Sequence, residues 1–115
     1  MMSKFSFKGK NVLITGAGGG LGSALARQLS EMGACLVLSD WAFADITELK
    51  LNLPENCTAI PIQADLSVPG MAETLAAKAT EAFGHIDIVI NTAAIGYHAL
   101  MTEASEDRVR KVFEI

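Results

Sequence analysis

A chain of 115 residues has room for one core, since single domains commonly run to roughly 100–150 residues. Half of its residues are apolar, 19% are charged and the mean hydropathy is +0.34, which excludes a disordered polar segment and implies a large buried fraction. The net charge of −4 and the pI near 5.0 offer no attraction for nucleic acid or for an anionic membrane surface, both of which call for a surplus of Lys and Arg.

No apolar run approaches the roughly 20 residues that span a bilayer. The N-terminus from Met1 to Lys10 is basic, but no signal-peptide apolar stretch follows it, so the expected location is the cytoplasm. Cys35 and Cys57 stand far apart in the sequence, in no metal-ligand or redox spacing, and read as thiols in a reducing compartment, Cys35 as plain core packing.

In chain order, Asn11-Val12-Leu13-Ile14-Thr15 is a β-rich run closed by glycines. Leu21, Ala24, Leu25, Leu29 and Met32 then form the expected buried stripe of a first helix, with Gly33 as its stop. Cys35-Leu36-Val37-Leu38 is continuously apolar, as in a strand covered on both faces, and ends in Ser39-Asp40. A second helix is expected over 43–51 and a third strand over 58–63, where Pro61 cannot donate to a ladder and so belongs at a sheet edge. Ser67 is the expected cap of a third helix, with Pro69 in its first turn, Met71, Leu75, Ala79 and Ala82 inward, and Gly84 as terminator. Residues 86–91 read as a fourth strand, and Ser105 as the cap of a helix with Val109, Val112 and Phe113 on one stripe. Strands alternating with helices predict an α/β fold with a parallel, doubly wound sheet, and the order 3-2-1-4 puts Pro61 at an edge.

The chemistry concentrates in Thr15-Gly16-Ala17-Gly18-Gly19-Gly20-Leu21-Gly22, between the first strand and the first helix. A strand that enters a helix through glycines leaves unpaired N–H groups aimed at one spot, with a partial positive charge and no side chains in the way, which is an anion site. A P-loop is excluded because no Lys occurs between Lys10 and Lys50. The fingerprint G-x-G-x-x-G also fails, since it meets Leu21 when begun at Gly16 and Ser23 when begun at Gly18. The spacing that fits is T-G-x-x-x-G-x-G, with Gly16, Gly20 and Gly22.

Asp40 ends the second strand, close to the roughly 20-residue spacing at which an acidic residue accepts from an adenosine ribose; its alternative role is to cap the next helix. A 2′-phosphate beside that carboxylate meets a repulsion on the order of 4 kcal/mol per charge pair at about 4 Å and an effective dielectric near 20, so NAD is expected over NADP. No Arg or Lys in the glycine loop offsets this. Trp41 either flanks the adenine or packs under the loop. Two further motifs are Ala64-Asp65-Leu66-Ser67 after the third strand and Asn91-Thr92-Ala93-Ala94 after the fourth.

By these four features, from Lys10 to Ile115, the sequence resembles the N-terminal portion of the short-chain dehydrogenase/reductase family. The resemblance implies a Rossmann-type NAD(P)-binding domain, here residues 1–115, with Gly16, Gly18, Gly19, Gly20, Leu21 and Gly22 around the diphosphate. It implies that Asp65 accepts from the adenine amine, that the Leu66 N–H meets the ring, that Asn91 braces the sheet, and that Ala93 and Ala94 let the ribose approach. Thr92 stands where the family has a second Asn and Ala94 where it has Gly. For Asp65 a helix-start turn with Ser67 is a compatible second role.

The family's proton donor is a tyrosine with a lysine four residues later, assisted by a serine and an asparagine. The only tyrosine is Tyr97, followed four residues on by Met101, so no catalytic residue is assigned. His85 and His98 have no partner at triad or metal spacing and read as solvated, and no metal site is expected. Without the donor, which contributes about 10²–10⁴-fold, no dehydrogenase activity is expected of these residues alone. The leading reading is a truncated NAD-dependent oxidoreductase acting on an alcohol or carbonyl substrate. Its alternatives are a non-catalytic NAD-binding or interaction module and a product that never folds stably. The fourth strand is expected to have an open apolar edge through which the chain self-associates, and full-length relatives are expected to be homo-oligomers.

Overall fold

The computed structural model describes residues 6–92. Their elements alternate along the chain: β1 (Asn11–Thr15), α1 (Gly20–Glu31), β2 (Cys35–Asp40), α2 (Phe43–Leu51), β3 (Ala59–Gln63), α3 (Met71–Phe83) and β4 (Ile88–Asn91). The four strands pair in parallel in the order β3-β2-β1-β4. This is the expected doubly wound order. Pro61 lies opposite Leu38 on the edge strand β3, where only one side of the strand has to supply ladder donors.

Alternation along the strands divides the core between two faces. Val12, Ile14, Leu36 and Leu38 pack with Ala26 and Leu29 of α1 and Ile46 and Leu49 of α2. Leu13 and Val37 point the other way, onto Leu75 and Ala79 of α3. Helices on both faces explain why β1 is buried along its whole length and why its sequence is a continuous apolar run.

The face that α1 buries differs from the expected stripe. Gly22, Ala26, Leu29 and Ser30 are buried, Leu25 is half-buried and Ala24 is exposed, while Leu21 and Met32 are 51% and 50% exposed. The glycine loop sets this rotation: a Cβ on Gly22 would overlap the Gly16 carbonyl oxygen and lie 2.9 Å from Ala17 Cα, so α1 turns the side-chain-free Gly22 toward the loop. Gly33 does stop the helix, at φ +85°.

The start of α3 is also corrected. Ser67 does not cap it, because its amide and hydroxyl both donate to Asp65 Oδ1, at 3.0 and 2.6 Å, in a turn that ends before the helix. Pro69 lies ahead of the helix, Gly70 at φ +81° is the cap position, and Ala82 faces solvent. Gly84 ends the helix at φ +84° as expected.

β3 begins one residue and β4 two residues later than expected. Before Ile88 the pairing with β1 runs partly through side chains: the Asn11 amide donates to Asp87 Oδ2 at 2.8 Å, and Asn11 Nδ2 donates to the His85 carbonyl at 3.0 Å. His85 is exposed and lies 3.3 Å from Asp87, consistent with a solvated role. The Asn11 hydrogen bond, aided by the charges of His85 and Lys10, holds the Asp87 carboxyl below the usual carboxylate range. Both cysteines are half-buried thiols, and burial, with Cys35 nearby, pushes the Cys57 thiol up. No described helix is long and apolar enough to cross a membrane.

Candidate functional site

The chain winds from β1 outward to β3, then returns to place β4 on the other side of β1. Ligands of open α/β sheets bind at such a reversal, beyond the carboxyl ends of the strands. Those ends are Thr15 of β1 and Asn91 of β4, which are opposite one another in register. The Thr15 hydroxyl donates to Asn91 Oδ1 at 2.6 Å. Thr92 adds more, its amide donating to the Thr15 carbonyl at 3.1 Å and its hydroxyl shared between that carbonyl at 2.6 Å and the Gly16 carbonyl at 3.1 Å. Asn91 is thus tied to Thr15 at the ends of the paired strands, and Thr92, which departs from the family motif, is a buried partner of the same strand end.

The glycine loop leaves β1 at Gly16, whose φ of +70° favours glycine. The Ala17 amide donates to the Ser39 carbonyl at 3.0 Å and the Gly19 amide to the Gly16 carbonyl at 3.1 Å, which pin the loop to β2 and close its turn. Gly19 is the cap residue of α1 and offers no side-chain hydrogen bond. The first-turn amides of Gly20, Leu21 and Gly22 therefore lack the partner that a Ser or Asp cap gives. A Cβ on Gly20 would meet nothing within 4 Å, so this glycine is not required by packing within the described residues. An open cradle of amides at a helix start suits the diphosphate of a dinucleotide.

Asp40 stands beside the cradle. Its Oδ2 accepts from the Gly18 amide at 2.9 Å and its Oδ1 from the Ala42 amide at 3.1 Å, so the carboxylate is fixed by both the loop and the turn into α2. The Ala42 bond closes a turn ahead of α2 and is no cap, since Ala42 is itself the N-cap position of that helix. A carboxylate has about four acceptor positions, and two bonds leave it able to accept ribose hydroxyls. Trp41 is 70% exposed, which removes the alternative of packing under the loop, and its carbonyl accepts from Gln63 Nε2 at 3.0 Å.

Asp65 follows β3 at the same end of the sheet, tied to β2 by the bond from the Ala64 amide to the Asp40 carbonyl at 3.0 Å. Its exposed carboxyl is held below the ordinary range by the Ser67 hydroxyl and then by the Ser67 amide. Leu66 turns its side chain toward the α3 side of the core. Ala93 and Ala94, with Tyr97, His98 and the expected last helix from Ser105, lie outside the described residues. Among the described residues, no three His, Cys, Asp or Glu side chains are grouped to hold a metal ion.

Residues 10–115 match the family model described as short chain dehydrogenase. Meso-2,3-butanediol dehydrogenase of Serratia marcescens is 35% identical over 106 residues, which are 92% of this chain and 42% of that protein. A short-chain dehydrogenase/reductase of Burkholderia phymatum in complex with NAD superposes with a TM-score of 0.66 at 34% identity, over 76% of this chain and 31% of that one. The 3-ketoacyl-(acyl-carrier-protein) reductase of Brucella melitensis complexed with NADH gives 0.69 at 31%, over 75% and 35%. The chain thus spans less than half the length of these relatives. With its strand order, loop spacing and sequence match in agreement, the chain belongs to the short-chain dehydrogenase family.

Proposed function

We propose that this chain is the dinucleotide-binding part of an NAD-dependent oxidoreductase, which moves a hydride between a nicotinamide cofactor and an alcohol or carbonyl substrate. The observation that carries the reading is the set of uncapped amides at Gly20, Leu21 and Gly22 beside a fixed Asp40 carboxylate. The amides hold the diphosphate and Asp40 accepts from the adenosine ribose, which favours NAD over NADP. Trp41 flanks the adenine. Asp65 accepts from the adenine amine through Oδ2, since both Ser67 bonds fall on Oδ1. Asn91 and Thr92 hold the loop against β4, and Ala93 and Ala94 leave room for the nicotinamide ribose. A nicotinamide held there supplies or takes up the hydride.

The assigned residues bind and orient; none of them donates the substrate proton. The sequence holds no Tyr-x-x-x-Lys, so these 115 residues by themselves bind cofactor without turnover. We further propose a cytoplasmic protein, which suits two thiols and an acidic chain, and self-association through the outer side of β4, which has no strand on it among the described residues. Sedimentation over a range of concentrations tests the last point.

Trp41 is the only tryptophan and reports on its own site. Titration of NADH should quench its emission saturably and transfer energy to the nicotinamide. A sample with a cooperative unfolding transition but no saturable change would overturn the dinucleotide reading.

A further inference from the structure

Gly18 brings two acidic residues together. A Cβ built on it would lie 2.9 Å from Asp45 Cβ and 3.0 Å from Asp40 Oδ2, so a glycine is what lets the first turn of α2 close on the loop while Asp40 accepts from the Gly18 amide. Asp45 is exposed, and it lines an open groove between α1 and α2 with Gly18, Ser23, Arg27 and Glu48. Arg27 does not neutralise it: among the described residues the one ion pair joins His85 and Asp87.

We propose that Asp45 is a second specificity-determining residue of the dinucleotide site, packed on the same side of Gly18 as Asp40 Oδ2 so that a 2′-phosphate on the adenosine ribose meets the negative charge of two residues. The proposal rests on the dinucleotide reading above. Asp40 acts in two ways, by accepting ribose hydroxyls and by repelling phosphate. Asp45, packed beside Gly18, acts through its charge alone, and its exposure makes that action weaker and sensitive to salt. The two carboxylates therefore leave different signatures. Loss of Asp40 harms NADH binding directly, whereas loss of Asp45 shows in the preference between NADH and NADPH.

The test is titration of NADH and NADPH into the wild-type chain, D45N and E48Q at low and high salt, followed by Trp41 emission. Glu48 lines the same groove farther along α2 and controls for a general field. D45N should shift the affinity ratio toward NADPH by on the order of fivefold at low salt, with a smaller shift at high salt. E48Q should shift it less than about twofold. A D45N ratio equal to that of the wild type, or an equal shift in E48Q, overturns the role of Asp45. D45S serves the same comparison if D45N fails to fold. Wild-type chain that is folded but binds neither cofactor overturns instead the reading on which the proposal rests.

Discussion

The Thr92 hydroxyl donates to the Thr15 carbonyl at 2.6 Å, with the Gly16 carbonyl 3.1 Å from the same oxygen. Residues 77 apart in sequence are thereby joined where the glycine loop leaves β1. Thr92→Val keeps the shape and removes the donor, and should lower stability by about 1 kcal/mol. It should also weaken NADH binding, because the carbonyls it releases begin the loop. Thr92→Ser should restore both, as denaturant melts and NADH titrations would show.

Gly20 and Gly22 make a paired prediction. Gly22→Ala drives a methyl group into the Gly16 carbonyl and should destabilise the chain by roughly 1–3 kcal/mol, with binding lost. Gly20→Ala meets open space and should leave the melting temperature within a few degrees of the wild type, yet it places a methyl group in the cradle and should weaken NADH at least about tenfold. If Gly20→Ala binds NADH normally, the diphosphate does not lie there.

Asp40→Ser removes the acceptor for the Gly18 and Ala42 amides together with the charge. NADH affinity should fall more than NADPH affinity. Equal losses for the two cofactors would take Asp40 out of the ribose role and leave it as a loop anchor only.

Asp87 gives a pH dependence of known sign. Its folded-state carboxyl is held below the ordinary value near 3.9, chiefly by the Asn11 amide. The stability it contributes is fully present above that ordinary value and is lost as the pH falls through the lower native one. Thermal stability should therefore drop on acidification below about pH 4, and Asp87→Asn should make that drop shallower. Identical acid profiles for the two chains would show that Asp87 does not link β1 to β4 in this way. Asp65, lowered in the same direction by Ser67, adds to the wild-type slope and is unaffected by the substitution.

Most of the fold was legible because its signals are local. β1 was read to the residue, β2 and α2 to their ends, and Pro61 located the edge strand, since each depends on a short apolar run or a missing N–H. The cap of α3 was misread because Ser67 closes a turn with Asp65 and the helix begins only at Met71, with Gly70 at the cap position. The late start of β4 was hidden for a similar reason: the Asp87 amide donates to the Asn11 carbonyl as in a strand, but the Asn11 amide is taken by the Asp87 side chain and not by backbone.

The sequence by itself determined the α/β class, the strand order, the glycine spacing and the acidic residue at the end of β2, because periodicity and spacing along the chain encode burial and turn geometry. Only the tertiary structure decided which way α1 faces, that Thr92 bolts Thr15, that Trp41 stands in solvent, and that Asp45 and Asp40 pack against one side of Gly18. Those relationships are contacts between segments far apart in sequence. They are fixed by how closely two backbones can approach, and no single stretch of residues carries that distance.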